Sequence, residues 1–354
     1  MTRVADITLS DKLLSWYDRS ARDLPWRVSP ADRAAGVAPD PYRVWLSEVM
    51  LQQTTVATVT PRFGAFLERW PTVAALASAS EDDVLAAWAG LGYYARARNM
   101  HACAQQVARD FGGEFPTTEE ALLALPGVGP YTAAAIAAIA FDHPAVVVDG
   151  NIERVASRLF MIESPVRDAK DEIKRRLAGV WPDQRSGDFA QGLMDLGAVV
   201  CTPTNPSCLI CPIHEHCRAA RDGDPARFPI KPKRAPKPER SGVAYALFDA
   251  RGRVLLEKRP SKGLLGGMLA LPSAGWSAVD SDPPADVEWE DAGVVEHVFT
   301  HFRLRLSVYV ADAPKGRRAK SGERWLDPEA APAPTVMRKA IDLAARSRQN
   351  SSAA

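Results

Sequence analysis

Residues 201–217 read CTPTNPSCLICPIHEHC, four cysteines spaced C-x6-C-x2-C-x5-C. Thiolates delivered by one short segment can wrap a compact cluster, and four of them complete a [4Fe–4S] cubane. Structural zinc is the competing occupant, but zinc modules usually carry two C-x2-C knuckles well apart, and only one such pair occurs here. His214 and His216 lie inside the loop and are expected to be solvated. Cys201, Cys208, Cys211 and Cys217 are therefore the expected ligands of an iron–sulfur cluster. They are four of only five cysteines in the chain, a usage that fits a reducing cytoplasm rather than a secreted disulfide scaffold.

Upstream of the cysteines the chain reads as helix after helix, with Ala-rich amphipathic runs and little strand-type alternation. Ser10 is expected to open SDKLLSWYDRSA. Ser80 with Asp83, and Thr117 with Glu120, form capping-box patterns ahead of VLAAWAGL and ALLAL. VVVDG at 146–150 is short enough for a buried loop or an extended lead into the next helix. In LPGVGPYTAAAIAAIA, Gly127, Val128 and Gly129 fall between two helical runs. Glycines let backbone N–H groups approach a ligand, and a helix N-terminus adds partial positive charge, so this turn suits a phosphate.

Downstream, RDGDPARFPIKPKRAPKPER is rich in proline, Lys and Arg and reads as an extended basic linker. From Val243 the pattern becomes strands. VAYALFDARGRVLLEKR is two apolar runs about a turn, and FRLRLSVYV alternates cleanly from Phe302 to Val310. ARSRQNSSAA at the end reads as a frayed tail. The expected organisation is a helical domain at 1–220, a linker at 221–240, an α+β domain at 241–345 and a tail at 346–354.

Bulk properties exclude little. The 354 residues suit two domains, 46% hydrophobic and 25% charged residues are ordinary for a globular chain, and a formal net charge of +1 means that any nucleic-acid contact relies on local basic patches. No secretory signal opens the chain, and the longest apolar stretch, Ala133 to Phe141, is too short to span a bilayer.

Two acids stand out. Glu48, in VWLSEVMLQQT, has apolar neighbours; facing a pocket, it would keep its proton near neutral pH through desolvation. Asp149 precedes a helix, whose N-terminus is expected to lower its pKa. Acids pushed in opposite directions suit glycosidic cleavage: one donates a proton, the other faces an oxocarbenium-like sugar. From spacing alone, a surface glutamate and an ordinary N-cap aspartate are the favoured readings.

PWR, PYRVWLSEVMLQQTTVATV, GLGYYARARN, LPGVGPYTA, VDGN and MDLGA, followed by the cysteine pattern, resemble the MutY adenine glycosylases, a branch of the endonuclease III-like helix-hairpin-helix DNA glycosylases. The likeness runs through nearly all of residues 10–220. It implies a mainly α catalytic domain with an iron–sulfur module, acting on adenine opposite 8-oxoguanine or guanine in double-stranded DNA. A monomer, soluble in the cytoplasm and associated with the nucleoid through DNA, is expected. By the resemblance, Glu48 protonates the flipped adenine and later assists water, and Asp149 stabilises, or transiently bonds to, the anomeric carbon. Asn151 and Tyr131 orient them, and Gln191 contacts the adenine edge. Trp26 and Arg27 of PWR belong with the substrate. Gln53, Thr54 and Tyr93 match positions beside the opposite base, although a helix tyrosine such as Tyr93 is also commonly buried. Branch members that nick DNA carry lysine where Tyr131 stands; a phenol cannot form an imine, so hydrolysis without strand cleavage is implied. Arg218 and Arg221 are candidate phosphate contacts by proximity to the cysteines.

SGVAYALFDARGRVLLEKRPSKGLLGGMLALPS resembles the MutT/Nudix-like domain that follows the catalytic domain in that family. The metal-binding R-E-x-x-x-E-E box of the fold is missing between residues 241 and 345. By the resemblance, Phe299, Thr300 and His301 read 8-oxoguanine, with Thr in the family's serine position. VSPADRAAGVAPDP, longer than in the family, is expected to be a flexible surface insertion at 28–41. An endonuclease III-like or thymine/uracil mismatch glycosylase, a non-catalytic iron–sulfur DNA-binding module and a nucleotide pyrophosphatase are the competing functions.

Overall fold

The computed structural model describes residues 8–230, 236–260 and 263–353. Its contacts divide the chain into two compact units, Met1–Lys233 and Arg234–Ala354. The centre of the expected basic linker, 231–235, lies outside the described residues. Residues 221–230 stay with the first unit: Phe228 is buried, and the Ile230 carbonyl accepts from Val166 N at 3.2 Å.

In the first unit the helices are α1 (Leu9–Ser20), α2 (Pro30–Ala34), α3 (Pro41–Leu51), α4 (Val56–Arg69), α5 (Val73–Ala77), α6 (Glu81–Ala87) and α7 (Tyr94–Asp110). They continue with α8 (Glu119–Leu123), α9 (Pro130–Phe141), α10 (Gly150–Phe160), α11 (Lys170–Ala178), α12 (Ser186–Val199) and α13 (Arg218–Arg221). α9, eight of whose twelve residues are Ala or Ile, is buried from Thr132 to Ile139 and packs against α3 and α12. A helix without a polar face belongs in a core, and this one forms the spine on which α3 and α12 are laid.

Ser80 caps α6 as expected, accepting from Asp83 N at 3.1 Å. The other two caps shift. α1 starts at Thr8, not Ser10, because Thr8 and Asp11 satisfy each other's backbone N–H, whereas three residues after Ser10 stands Leu13, which cannot reciprocate. α8 is capped by Thr118 rather than Thr117, a register that leaves Leu122 fully buried. The 28–41 insertion also differs from the flexible loop expected. It contains α2, and Arg33 pins it by donating to the Ile139 carbonyl at 3.2 Å and pairing with Asp188 at 3.4 Å.

The second unit holds β1 (Glu239–Phe248), β2 (Val254–Lys258), β3 (Leu269–Ala270), β4 (Ser273–Ala274), β5 (Glu290–Val298), β6 (Arg303–Asp312), β7 (Glu323–Leu326) and α14 (Thr335–Ala353). The sheet runs β3-β2-β1-β6-β5, with β4 on β1 and β7 on β2. The β1–β2 hairpin is the one expected, and β6 pairs parallel with β1 and antiparallel with β5. Alternation along β6 points Leu304, Leu306, Val308 and Val310 into a core shared with Met337, Ala340, Ile341 and Ala344 of α14. That helix continues through the residues expected to fray; Ala, Arg and Gln favour helix, and no breaker intervenes. Among the described residues no helix lies between β1 and α14. No helix among the described residues is long and apolar enough to cross a membrane.

Candidate active site

α3, α9, α10 and α12 surround a cavity of about 530 Å³, within the range of small-molecule sites. Glu48 enters from α3, Tyr131 from the first turn of α9, Asp149 and Asn151 from the head of α10, and Gln191 from α12; Trp26, Arg27, Gln53 and Thr54 complete much of the lining. The structure thus gathers nine of the predicted site residues, drawn from sequence positions 26 to 191, around one space.

Glu48 is 6% exposed, and its Oε2 accepts from the Tyr131 hydroxyl at 2.5 Å. Burial pushes its carboxyl up to about 7, with the Asp149 charge adding to the rise and Tyr131 and Arg27 opposing it. Asp149 caps α10: Oδ1 accepts from Ile152 N at 2.7 Å and Oδ2 from Asn151 Nδ2 at 3.2 Å. The helix terminus was expected to lower its pKa. Instead burial raises it, outweighing the hydrogen bonds from Ile152 and Asn151 and the Arg154 charge. Both acids are therefore shifted upward, and the difference between them is one of degree. Gln191, 3% exposed, donates from Nε2 to the Gly187 carbonyl at 3.3 Å.

Three residues to which the sequence alone assigns no role hold this arrangement, two of them within the MDLGA motif. Asp195, whose carboxylate is fully buried, binds Arg22 Nε at 2.6 Å and Arg27 Nη1 at 2.8 Å, so the guanidinium of PWR is engaged by the protein itself. Its signal in the sequence was its position four residues after Gln191, on the same helix face. Arg154 donates to Asn151 Oδ1 at 2.9 Å, to the Gly197 carbonyl at 2.6 Å and to the Cys201 carbonyl at 2.9 Å. Hydrogen bonds thus run continuously from the first cysteine to Asp149. Gly197 makes this possible, because a Cβ there would stand 2.7 Å from Asn151 Cβ.

The helix-hairpin-helix turn serves two ends. Gly127 adopts φ +73, and its missing Cβ would collide with Asn99 at 2.7 Å. Gly129 then caps α9 with Pro130 at its first position, delivering Tyr131 to the cavity while Gly127, Val128 and Gly129 themselves lie off its lining. Tyr93 is also off the cavity lining. It is 52% exposed in a left-handed conformation at the head of α7, not buried within a helix.

Cys201, Cys208, Cys211 and Cys217 line a second, smaller cavity together with Arg158 and His214. Arg158 Nη1 donates to Cys201 Sγ at 3.2 Å. Among the described residues no three His, Cys, Asp or Glu side chains are disposed to hold a single metal ion. The two histidines are not solvated as expected. Both are half-buried in a turn whose backbone doubles back between Cys211 and Cys217, and His216 Nε2 is buried without a hydrogen-bond partner. Arg218 and Arg221 are exposed on α13, and Arg218 Nη1 donates to the Phe160 carbonyl at 3.3 Å.

In the second unit Phe299, Thr300 and His301 form the β5–β6 turn, closed by Phe299 N on the Phe302 carbonyl at 2.9 Å. The Phe299 ring is stacked between Trp276 and Phe302, while Thr300 and His301 are exposed.

Residues 46–183 match the HhH-GPD superfamily base excision DNA repair protein family, and residues 243–343 match the NUDIX domain. The adenine DNA glycosylase of Mus musculus is 37% identical over 91% of this chain and 75% of its own length. That of Homo sapiens is 36% identical over 92% and 71%. The solved structure of a thermostable thymine-DNA glycosylase is 27% identical with a TM-score of 0.53, covering 60% of this chain and 95% of that one. With relatives of that identity aligned across both units, the chain belongs to the adenine DNA glycosylase family of helix-hairpin-helix base-excision repair enzymes.

Proposed function

We propose that this enzyme hydrolyses the N-glycosidic bond of adenine mispaired with 8-oxoguanine or guanine in double-stranded DNA, leaving an abasic site and an uncut strand. The observation that carries the reading is the convergence in one cavity of Glu48, its carboxyl pushed up to about 7 and bonded by Tyr131, with Asp149, which accepts from Ile152 N and Asn151 at the head of α10. The adenine must leave the stack to reach them. Glu48 donates its proton to the departing base, whose bond to the sugar breaks with the electron pair going to the base. The Asp149 carboxylate faces the cationic sugar, and water, deprotonated by Glu48, adds at the anomeric carbon. Tyr131 and Asn151 hold the two carboxyls in register, and Gln191 presents its amide to the adenine edge beside Trp26 and Arg27. The enzyme acts as a monomer on cytoplasmic, nucleoid DNA, with phosphates meeting the 127–129 turn, Arg218 and Arg221.

Labelled duplexes carrying A opposite 8-oxoguanine, A opposite G, T opposite G, and U test the reading, each with and without hot alkali. Excision is expected from the two adenine duplexes alone, with cleavage only after alkali, because no amine stands at Tyr131 to form an imine. Preferential release of T or U, or a borohydride-trapped adduct, overturns it.

The four cysteines line one small cavity, and a donor set of four thiolates fits a cubane, one for each iron. Cys201, Cys208, Cys211 and Cys217 would hold it, with the Arg158 cation beside Cys201; when bound, the cluster supplies a rigid anchor for the loop that Arg154 ties to Asn151. Purified protein is expected to be brown with about four irons per chain. Stoichiometric zinc overturns the assignment.

Lesion reading falls to Thr300 and His301, exposed on a turn that the aromatic stack keeps in shape. 8-Oxoguanine differs from guanine at the C8 oxygen and N7 hydrogen, and a hydrogen bond to either contributes about 1–3 kcal/mol of discrimination. The Thr300→Ala, His301→Ala double variant is therefore expected to slow excision opposite 8-oxoguanine about tenfold more than opposite guanine. Equal losses on the two duplexes remove these residues from lesion reading.

A further inference from the structure

Arg96 stands in the first turn of α7, yet none of its side-chain bonds serves that helix. Nη1 donates to the carbonyls of Val49 at 2.9 Å and Met50 at 3.2 Å, at the end of α3. Nη2 donates to the carbonyls of Leu91 at 3.0 Å and Gly92 at 3.5 Å, and to Thr54 Oγ1 at 3.3 Å. The guanidinium also lies 5.2 Å from the Trp88 ring and 5.6 Å from the Tyr93 ring. One side chain therefore ties two segments together, residues 49–54 and residues 88–93.

Each segment holds a non-glycine residue in the left-handed region, Gln53 at φ +57 and Tyr93 at φ +48. Such conformations persist only where the surroundings over-determine them, and they collect at functional positions. Here the surroundings of both include the same cation. The carbonyls that end α3 carry partial negative charge, which favours a cation there. A guanidinium fork reaches both segments at once, where the single ammonium of lysine cannot.

We infer that Arg96 is a positioning residue that locks Gln53 and Tyr93 into one prebuilt wedge, ready to occupy the stack as the adenine leaves it. The inference rests on the proposed reading, in which adenine is extruded, and on the family resemblance, which sets these two residues beside the opposite base. The wedge exists before DNA arrives, so extrusion does not wait for two loops to order separately. Arg96 touches neither base nor sugar; it acts through the backbones it holds.

Stopped-flow fluorescence of 2-aminopurine at the target position reports extrusion, and single-turnover excision and thermal melting are followed on the same full-length variants. Arg96→Lys is expected to melt within a few degrees of wild type but to extrude at least tenfold more slowly, with excision slowed in step. Glu48→Gln is expected to extrude at the wild-type rate, separating this step from chemistry. The Gln53→Ala, Tyr93→Ala double variant is expected to be as slow as Arg96→Lys, with no further loss when all three changes are combined. Wild-type extrusion in Arg96→Lys beside a slow double variant overturns the inference alone, as does an additive triple variant. Wild-type extrusion in the double variant overturns the wedge reading beneath it. Should Arg96→Lys not fold, Arg96→Gln replaces it, whose shorter amide cannot reach the Val49 and Leu91 carbonyls together, and an undiminished extrusion rate there overturns the inference.

Discussion

Glu48→Gln is expected to bind the mismatched duplex as tightly as wild type while releasing adenine on the order of 10²–10⁴-fold more slowly, the usual worth of a positioned general acid. Glutamine keeps the shape of the side chain and can still meet the Tyr131 hydroxyl, so the cavity should survive; only the transferable proton is lost. The same assignment predicts the pH profile. Glu48 must be protonated to act, and its carboxyl is held at about 7, so excision by the wild type is expected to fall as pH rises through neutrality. The acid limb follows from Asp149, which must be ionised. Burial raises its pKa, so that limb is expected at higher pH than an ordinary, solvated aspartate would set it. Stability has the matching sign. A folded pKa raised from 4.5 to about 7 contributes stability that is complete below 4.5 and lost as pH rises through 7. Glu48→Gln should therefore gain on the wild type in thermal melting as pH is raised. Excision by the variant within tenfold of wild type, a barrier change under about 1.4 kcal/mol, removes Glu48 as the acid.

Asp149→Asn is expected to cost on the order of 10²–10³-fold in single-turnover excision, with little change in thermal stability. The two measurements separate because Asp149 has two functions. As the cap of α10 it needs only an acceptor for Ile152 N, which asparagine supplies equally well. As the group facing the sugar it needs a negative charge, which asparagine lacks. The substitution also tests the coupling of the acids. The Asp149 charge helps hold the Glu48 pKa up, so its removal should shift the alkaline limb of the residual activity to lower pH. An unmoved limb would mean that burial alone sets the proton affinity of Glu48. A variant that unfolds instead would show that the Asn151 bond to this carboxylate holds the fold rather than the chemistry.

The parts legible in the sequence are those with a local signature. The cysteine spacing, the Pro-Gly-Val-Gly-Pro turn, the SEVMLQQT block and the period-two alternation of β6 each lie within twenty residues, and each corresponds to one element or one loop. The Ser80 cap was legible for the same reason. Caps with two candidates side by side were not: Thr8 against Ser10 was decided by reciprocity with Asp11, and Thr118 against Thr117 by the burial of Leu122. The pinning of the 28–41 insertion was out of reach as well, because Arg33 finds its partners more than a hundred residues away.

The sequence by itself determined the helical and strand-rich halves, the cysteine quartet, and the candidate acids Glu48 and Asp149, because chain-local pattern and motif suffice for these. Tertiary structure alone decided how those acids behave. The sign at Asp149 depends on whether a helix terminus or desolvation prevails, and desolvation is set by what packs around the carboxyl, here elements drawn from across the whole first unit. The same holds for the arginines. Apart from Arg27, which the resemblance places with the substrate, Arg22, Arg96, Arg154 and Arg158 carry no local sign of what their guanidiniums bind. Packing brings buried carbonyls and a buried carboxylate within reach of their forks, and a guanidinium in that setting is more stable bonded to the protein than left to solvent or DNA.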